Sequence, residues 1–102
     1  MNLKFKNDKE RISFLTDYRN LDHGWYLWKE DPDLDRKMWR LDLDGVSLIV
    51  EEQLHTFTYP NKHEAWTVAH WFIVEDWKGP FQDNVASRTL ALAKLKEVEK
   101  KS

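Results

Sequence analysis

The sequence predicts a single α+β domain: a helix, a four-stranded antiparallel β-meander and a C-terminal helix, with both helices packed on one face of the sheet. Apolar residues recur at helical spacing near each end of the chain, whereas between positions 25 and 77 they mostly alternate with polar residues. The three glycines and three prolines all fall between these periodic segments. A chain of 102 residues has the usual size of one domain, so we expect residues 1–102 to form one folding unit.

Two segments are predicted to be helical, residues 8–22 and residues 85–98. Asp8 is suited to cap the first of them, and Gly24 follows where that helix would end. The apolar stripe of the first helix consists of Phe14, Leu15, Tyr18 and Leu21. Asp83 is suited to cap the second helix, and the apolar stripe of that helix consists of Ala91, Leu92, Leu95 and Val98. Each stripe indicates a helix with one buried face.

The middle of the chain predicts strands. Their expected bounds are 25–30, 36–43, 46–58 and 66–77. Between the second and third, Asp44-Gly45 indicates a tight hairpin, because a type I′ turn needs positive φ at both central positions. The patterns place Trp39, Leu41 and Leu95 in the core. The last strand is apolar on both faces, which is typical of a central strand or one covered on both sides.

Composition restricts the classes of function. The chain has no cysteine, which excludes disulfides, thiolate metal sites and a cysteine nucleophile and is typical of a reducing compartment. It shows no secretory signal, and its apolar runs are far shorter than the ~20 residues that span a bilayer. We therefore expect a cytoplasmic protein with no membrane partner. Residues 24–83 carry six basic and twelve acidic side chains, a net charge of −6, whereas residues 84–102 carry +3.

A calcium loop is suggested by the alternation of acidic residues after the first strand. Asp31, Asp33 and Asp35 have the spacing of the first three ligands of such a loop. However, Arg36 stands where the loop requires glycine, and Asp42 where it requires a bidentate glutamate. These aspartates are also ordinary turn residues, so we predict no calcium site.

Catalytic and zinc-binding patterns are also missing from the sequence. No two of the four histidines have the spacing of a metalloprotease helix, although His55 and His70, on strands predicted to be neighbours, make a site with Glu52 or Glu75 conceivable. No serine lies in a glycine-flanked elbow. The adjacent carboxylates Glu51 and Glu52 point to opposite faces of a strand. We therefore expect no catalytic residues, no metal ion and no cofactor. The alternative is a small hydrolase whose active site matches no pattern considered above.

Nucleic-acid binding by the basic C-terminal helix is a second alternative. The order of helix, sheet and helix resembles the double-stranded RNA-binding domain, which implies basic residues at the start of the last helix. Here positions 83–89 offer only Arg88, and four strands are predicted where that domain has three. The acidic middle of the chain also repels phosphate, so nucleic acid is a less favoured partner.

A protein partner is the hypothesis that the aromatic residues favour. A small sheet with helices on one face does not readily bury all six tryptophans, and exposed aromatic residues often anchor interfaces. We expect Trp71 and Trp77 to form the contact, flanked by Glu51, Glu75 and Asp76, whose charge suits a basic surface. A compact, Trp-rich, acidic chain of this kind is similar to small phage-encoded accessory and inhibitor proteins. The alternative is that these tryptophans belong to the core.

Overall fold

A computed structural model describes residues 3–101 and shows two α-helices with a four-stranded antiparallel sheet. The elements are α1 (Asp8–Thr16), β1 (Tyr26–Asp31), β2 (Arg36–Leu43), β3 (Val46–Phe57), β4 (His63–Val74) and α2 (Asn84–Lys101). The strands lie side by side in chain order, and each neighbouring pair is antiparallel. The predicted α+β meander is therefore confirmed. Neither helix in the described range is long and apolar enough to cross a membrane.

Helix α1 is shorter than the sequence predicts. It ends at Thr16 instead of residue 22, and its N-cap is Asn7 instead of Asp8, because the Asn7 side chain accepts a hydrogen bond from Glu10 N at 3.0 Å. The chain then forms a separate short 3-10 helix, Leu21–His23. Side chains just after Thr16 bond to the sheet, and this tertiary contact outweighs the helical pattern.

The hairpin between β2 and β3 is confirmed, as are the predicted bounds of β2. The expected type I′ turn is wrong, because Gly45 has positive φ but Asp44 does not. Gly45 has φ +82°, and a Cβ built on it would meet no atom within 4 Å. Any larger residue at this position is therefore strained by its backbone and not by its neighbours.

Strand β4 differs most from its prediction. It lies at the edge of the sheet and runs from His63 to Val74, so Trp77 falls outside it. The pairing of β3 with β4 shifts on both sides of Glu51, and Phe72 adopts φ 43°. This irregularity interrupts the alternation of side chains. As a result the consecutive residues Trp71 and Phe72 both contact the core cluster, where strict alternation predicted opposite faces.

The core lies on the face of the sheet that α2 covers, and α2 packs mainly against β4. Leu41 and Leu95 are fully buried, as predicted, whereas Trp39 is half-buried and packs against the same cluster. The N-terminal segment adds Leu3, and Arg11 of α1 forms an ion pair with Glu99 of α2 at 2.6 Å. The opposite face of the sheet carries no helix in the described part of the chain. We call these the covered face and the open face.

Strands β3 and β4 continue beyond the rest of the sheet. The last residue that β2 pairs on this side is Gln53, whereas β3 and β4 remain paired as far as Phe57 and His63. Residues 54–66 therefore form a two-stranded projection, which we call the arm. Tyr59 at its tip is 87% exposed.

Candidate partner-binding cleft

A cleft of about 310 Å³ lies where β4 ends and the chain turns toward α2. It is lined by His70, Trp71, Ile73, Val74, Trp77, Phe81, Gln82, Asn84 and Ser87. The two tryptophans that the sequence singled out, Trp71 and Trp77, are thus brought to one site. They reach it from different elements, because Trp71 belongs to β4 and Trp77 to the loop that follows.

Trp77 is held in place by its own loop. Its indole Nε1 donates a hydrogen bond to the carbonyl oxygen of Pro80 at 2.6 Å. The ring lies so close to Gly79 that a Cβ on this glycine would stand 2.3 Å from Trp77 Cζ2. The residue nevertheless remains 40% exposed. It is therefore a fixed aromatic surface that faces solvent.

Phe81 is the aromatic residue of the cleft that the sequence analysis did not single out. Its side chain is fully exposed, and that of the nearby Val85 is 77% exposed. Gln82 fastens the loop beside it, since its Oε1 accepts from Val74 N and from Ser87 Oγ, both at 3.4 Å. The sequence does contain a signal for this exposure, because Phe81 directly follows Gly79-Pro80 and a large aromatic residue in a turn is seldom buried.

Trp71 belongs both to the cleft and to the packing beneath it. Its ring meets Tyr18 edge-on at a centroid distance of 5.8 Å and lies 5.3 Å from the ring of Phe72. The residue is only partly exposed and packs against the buried cluster. Its removal would therefore affect stability as well as any contact made in the cleft.

Of the acidic residues predicted to flank the contact, Glu51 is buried, with 7% of its surface exposed. His70 Nδ1 lies 2.8 Å from one of its carboxylate oxygens and Arg36 Nη1 lies 3.6 Å from the other. Glu51 is therefore joined to the cleft only through His70, which lines it.

Glu75 and Asp76 are exposed and directly precede Trp77 in the chain, but they line a different pocket, beside Gly45 and Ser47, and each already has a basic partner. Arg40 Nη2 donates to Glu75 at 2.8 Å, and Lys94 Nζ donates to Asp76 at 3.0 Å. Arg40 is only 16% exposed and binds Glu75 through both terminal nitrogens, so this pair is firmer than the single contact of Lys94 with Asp76. Both carboxylates are themselves exposed. Their charge remains accessible to a basic partner, but it is already balanced within the molecule.

Arg40 organises the open face around it. It donates to Asp42 at 2.6 Å and to Ser47 at 2.9 Å, and its guanidinium lies 4.7 Å from the centre of the Trp28 ring. Asp42 also accepts from the Tyr26 hydroxyl at 2.6 Å. Hydrogen bonds from Tyr26, Arg40 and Ser47 lower the pKa of Asp42 to about 2.

The covered face contains a buried carboxylate, Glu52, that the sequence analysis considered only as a metal ligand or a catalytic group. Glu52 is 1% exposed and accepts hydrogen bonds from Trp39 Nε1 at 2.7 Å, from Arg19 Nη2 at 2.7 and 2.9 Å, and from the Tyr18 hydroxyl. Burial by itself raises the pKa of Glu52, but these three donors together outweigh it, so the pKa is lowered. Burial and the bond to Glu52 raise the pKa of Tyr18 to about 12. This buried charge joins the segment after α1 to the sheet.

The metal sites considered from the sequence are not assembled in the described range. No group of three or more His, Asp or Glu side chains within residues 3–101 is placed to hold a metal ion. The register sets His70 opposite Glu51 and His55 opposite Ala65. These positions are about 13 Å apart along β3.

Comparisons of the chain with models of protein families, with curated proteins and with solved structures find no match. The function is therefore inferred from the chemistry of the surface. The cleft at the end of β4 combines exposed aromatic area with a fixed shape.

Proposed function

We propose that the protein is a non-enzymatic binding module that engages a protein partner through the cleft at the end of β4. The observation that carries this proposal is the exposure of Phe81 and Trp77 around a preformed cavity of about 310 Å³. Large aromatic side chains that face solvent together are typical of interface anchors.

The fixed geometry of the loop supports this role. The Trp77 bond to Pro80 and the bridge that Gln82 makes between Val74 and Ser87 are already present in the free chain. A partner that fills the cleft therefore orders few additional groups, which lowers the entropic cost of association. We expect the partner to insert an apolar side chain between the two aromatic residues.

The acidic residues indicate the charge of the partner's surface. Glu75 and Asp76 are exposed and directly precede Trp77 in the chain, and a basic partner would compete with Arg40 and Lys94 for them. Such charges mainly orient and accelerate association, while the buried aromatic area supplies affinity. A nucleic-acid enzyme has a basic surface of this kind. The protein would then be an accessory or inhibitor protein of the phage type that acts on such an enzyme in the cytoplasm.

The test is site-specific capture followed by measured affinity. A photoreactive benzoylphenylalanine replaces Phe81 in one variant and Tyr59, at the tip of the arm, in a matched control. The protein that crosslinks at position 81 in source cells is purified, and its Kd is measured with the wild type, Phe81→Ala, Trp77→Ala and Tyr59→Ala.

We expect crosslinking at position 81 and not at position 59. Phe81→Ala and Trp77→Ala should each weaken binding by about 2 kcal/mol or more, while Tyr59→Ala binds as the wild type does. Melting curves verify that each variant is folded, and Phe81→Ala is the cleaner test because its side chain has no buried part. A partner that binds Phe81→Ala with unchanged Kd rules out the cleft as its site.

A further inference from the structure

A second groove, of about 430 Å³, lies between the N-terminal segment and the last turns of α2. It is lined by Lys4, Phe5, Arg11, Lys96, Glu99 and Lys100. Four of these six residues are cations and one is a carboxylate. Its lining differs from that of the partner-binding cleft, which carries no lysine or arginine.

The two carboxylates near this groove are already engaged. Glu99 accepts from Arg11 Nε at 2.6 Å, from Arg11 Nη2 at 3.2 Å and from Phe5 N at 3.1 Å. Asp8 accepts from Arg11 Nη1 at 2.7 Å and lies 3.3 Å from Lys96 Nζ. These bonds fix the position of Arg11, whose side chain is only 17% exposed.

Positive charge remains in excess after these pairs are formed. Lys4 and Lys100 have no carboxylate partner among residues 3–101. The Phe5 ring adds an apolar wall, held in place by the Phe14 ring at a centroid distance of 5.2 Å. The groove therefore offers two unpaired ammonium groups, a fixed guanidinium and an aromatic surface in one place.

We propose that this groove binds a small organic phosphate monoester, with the phosphate at the ammonium groups of Lys4 and Lys100 and the apolar body against Phe5. A monoester carries nearly two negative charges at neutral pH, which matches the two unpaired cations. The volume is within the range of small-molecule sites, about 300–1,000 Å³.

The confined charge favours a monoester over a nucleic-acid strand. Strand binding depends on many phosphate contacts along a continuous basic surface. On α2, Lys94 is paired with Asp76 at 3.0 Å, and Arg88 lies about 18 Å from Lys100 along the helix axis. On α2, as far as the structure describes it, the basic residues that lack a carboxylate partner near the groove are therefore confined to the end of the helix and do not continue along it.

The test is calorimetric titration of the full chain with phenyl phosphate. Phenyl sulfate, which has the same ring and one negative charge, is the matched ligand, and a single-stranded deoxythymidine oligonucleotide tests the strand alternative. The Lys4→Gln/Lys100→Gln double variant removes the two unpaired cations. Lys62→Gln/Lys101→Gln makes the same change of net charge outside the groove.

We expect saturable 1:1 binding of phenyl phosphate, tighter than that of phenyl sulfate at pH 7.5, with the preference lost at pH 5, where the phosphate (second pKa about 6) takes up a proton. Binding should weaken about tenfold in Lys4→Gln/Lys100→Gln and stay unchanged in the control double variant. No saturable binding, equal weakening in the two double variants, or tighter binding of the oligonucleotide would overturn the proposal.

Discussion

Two adjacent glutamates on β3 show how the two faces of the sheet differ. Glu52 lies on the covered face, 1% exposed, and accepts hydrogen bonds from three side chains. Glu51 lies on the open face, 7% exposed, beside His70 and Arg36, whose own side chains are 63% and 38% exposed. Residues of one type, next to each other in the chain, thus have different electrostatic roles.

The two carboxylates differ in how well their hydrogen-bonding partners can be hydrated once the carboxylate is removed. Two of the three donors to Glu52, Tyr18 and Trp39, are only partly exposed, so losing the carboxylate leaves them poorly hydrated and unsatisfied, whereas Arg19 is 46% exposed. The partners of Glu51 can turn to solvent. A charge on the covered face should therefore be structural, and one on the open face replaceable.

The largest effect is expected for Glu52→Gln. Removing one member of a buried ion pair costs about 3–5 kcal/mol. We expect about 3 kcal/mol, at the low end of that range, because Arg19 is 46% exposed and regains some hydration. Chemical denaturation at pH 7 measures the loss, and a midpoint equal to that of the wild type would contradict the structural role of Glu52.

Tyr18→Phe should have an intermediate effect, because it removes one donor to Glu52 and leaves Arg19 and Trp39. We expect about 2 kcal/mol at pH 7. The folded protein holds the Tyr18 proton to a pKa of about 12, above the ordinary value of 10.0. The unfolded chain therefore releases this proton first, and the stability it contributes, complete below pH 10, is lost as the pH rises toward 12.

Comparing urea midpoints at pH 9 and pH 11.5 measures this alkaline loss. It should be smaller in Tyr18→Phe than in the wild type. Tyr59→Phe, which removes the 87% exposed tyrosine at the tip of the arm, is the matched control and should retain this loss in full. An equal alkaline loss in Tyr18→Phe and the wild type would show that this hydroxyl is not the group responsible.

The smallest effect is expected for Glu51→Gln. The amide keeps an acceptor for His70, and Arg36 can be hydrated, so the loss should stay below about 1 kcal/mol. The ratio of this loss to that of Glu52→Gln measures the contrast between the two faces directly. Similar losses in both variants would mean that the open face is covered in solution.

Several features were predictable because local residues encode them. The bounds of β2 and the turn at Gly45 follow from alternation and turn chemistry within ten residues. The burial of Leu41 and Leu95 follows from their place in the two periodic patterns. Trp71 and Trp77 line one cleft, but the predicted reason was wrong, because Trp77 lies in the loop after β4 and not on the same strand as Trp71.

The features that were missed depend on contacts between distant parts of the chain. Tyr18 and Arg19 leave the helical pattern to reach Glu52, which is 34 and 33 residues away in sequence. Trp71 faces the core because the pairing of β3 and β4 is irregular, and no local pattern indicates where register shifts. The partners of Glu51, Glu75 and Asp76 likewise come from other strands or from α2.

The arm should unfold separately from the rest of the domain. Residues 54–66 pair only with each other, apart from contacts at the base such as Leu54 N with Asp35 O at 2.9 Å and Lys37 Nζ over the Trp66 ring at 4.4 Å. An isolated two-stranded ribbon is only marginally stable in water. Its outer amides can therefore exchange with solvent through local opening while the sheet beneath α2 stays folded. For the same reason, the tip of the arm is where the chain can accept an inserted segment at least cost to the rest of the domain.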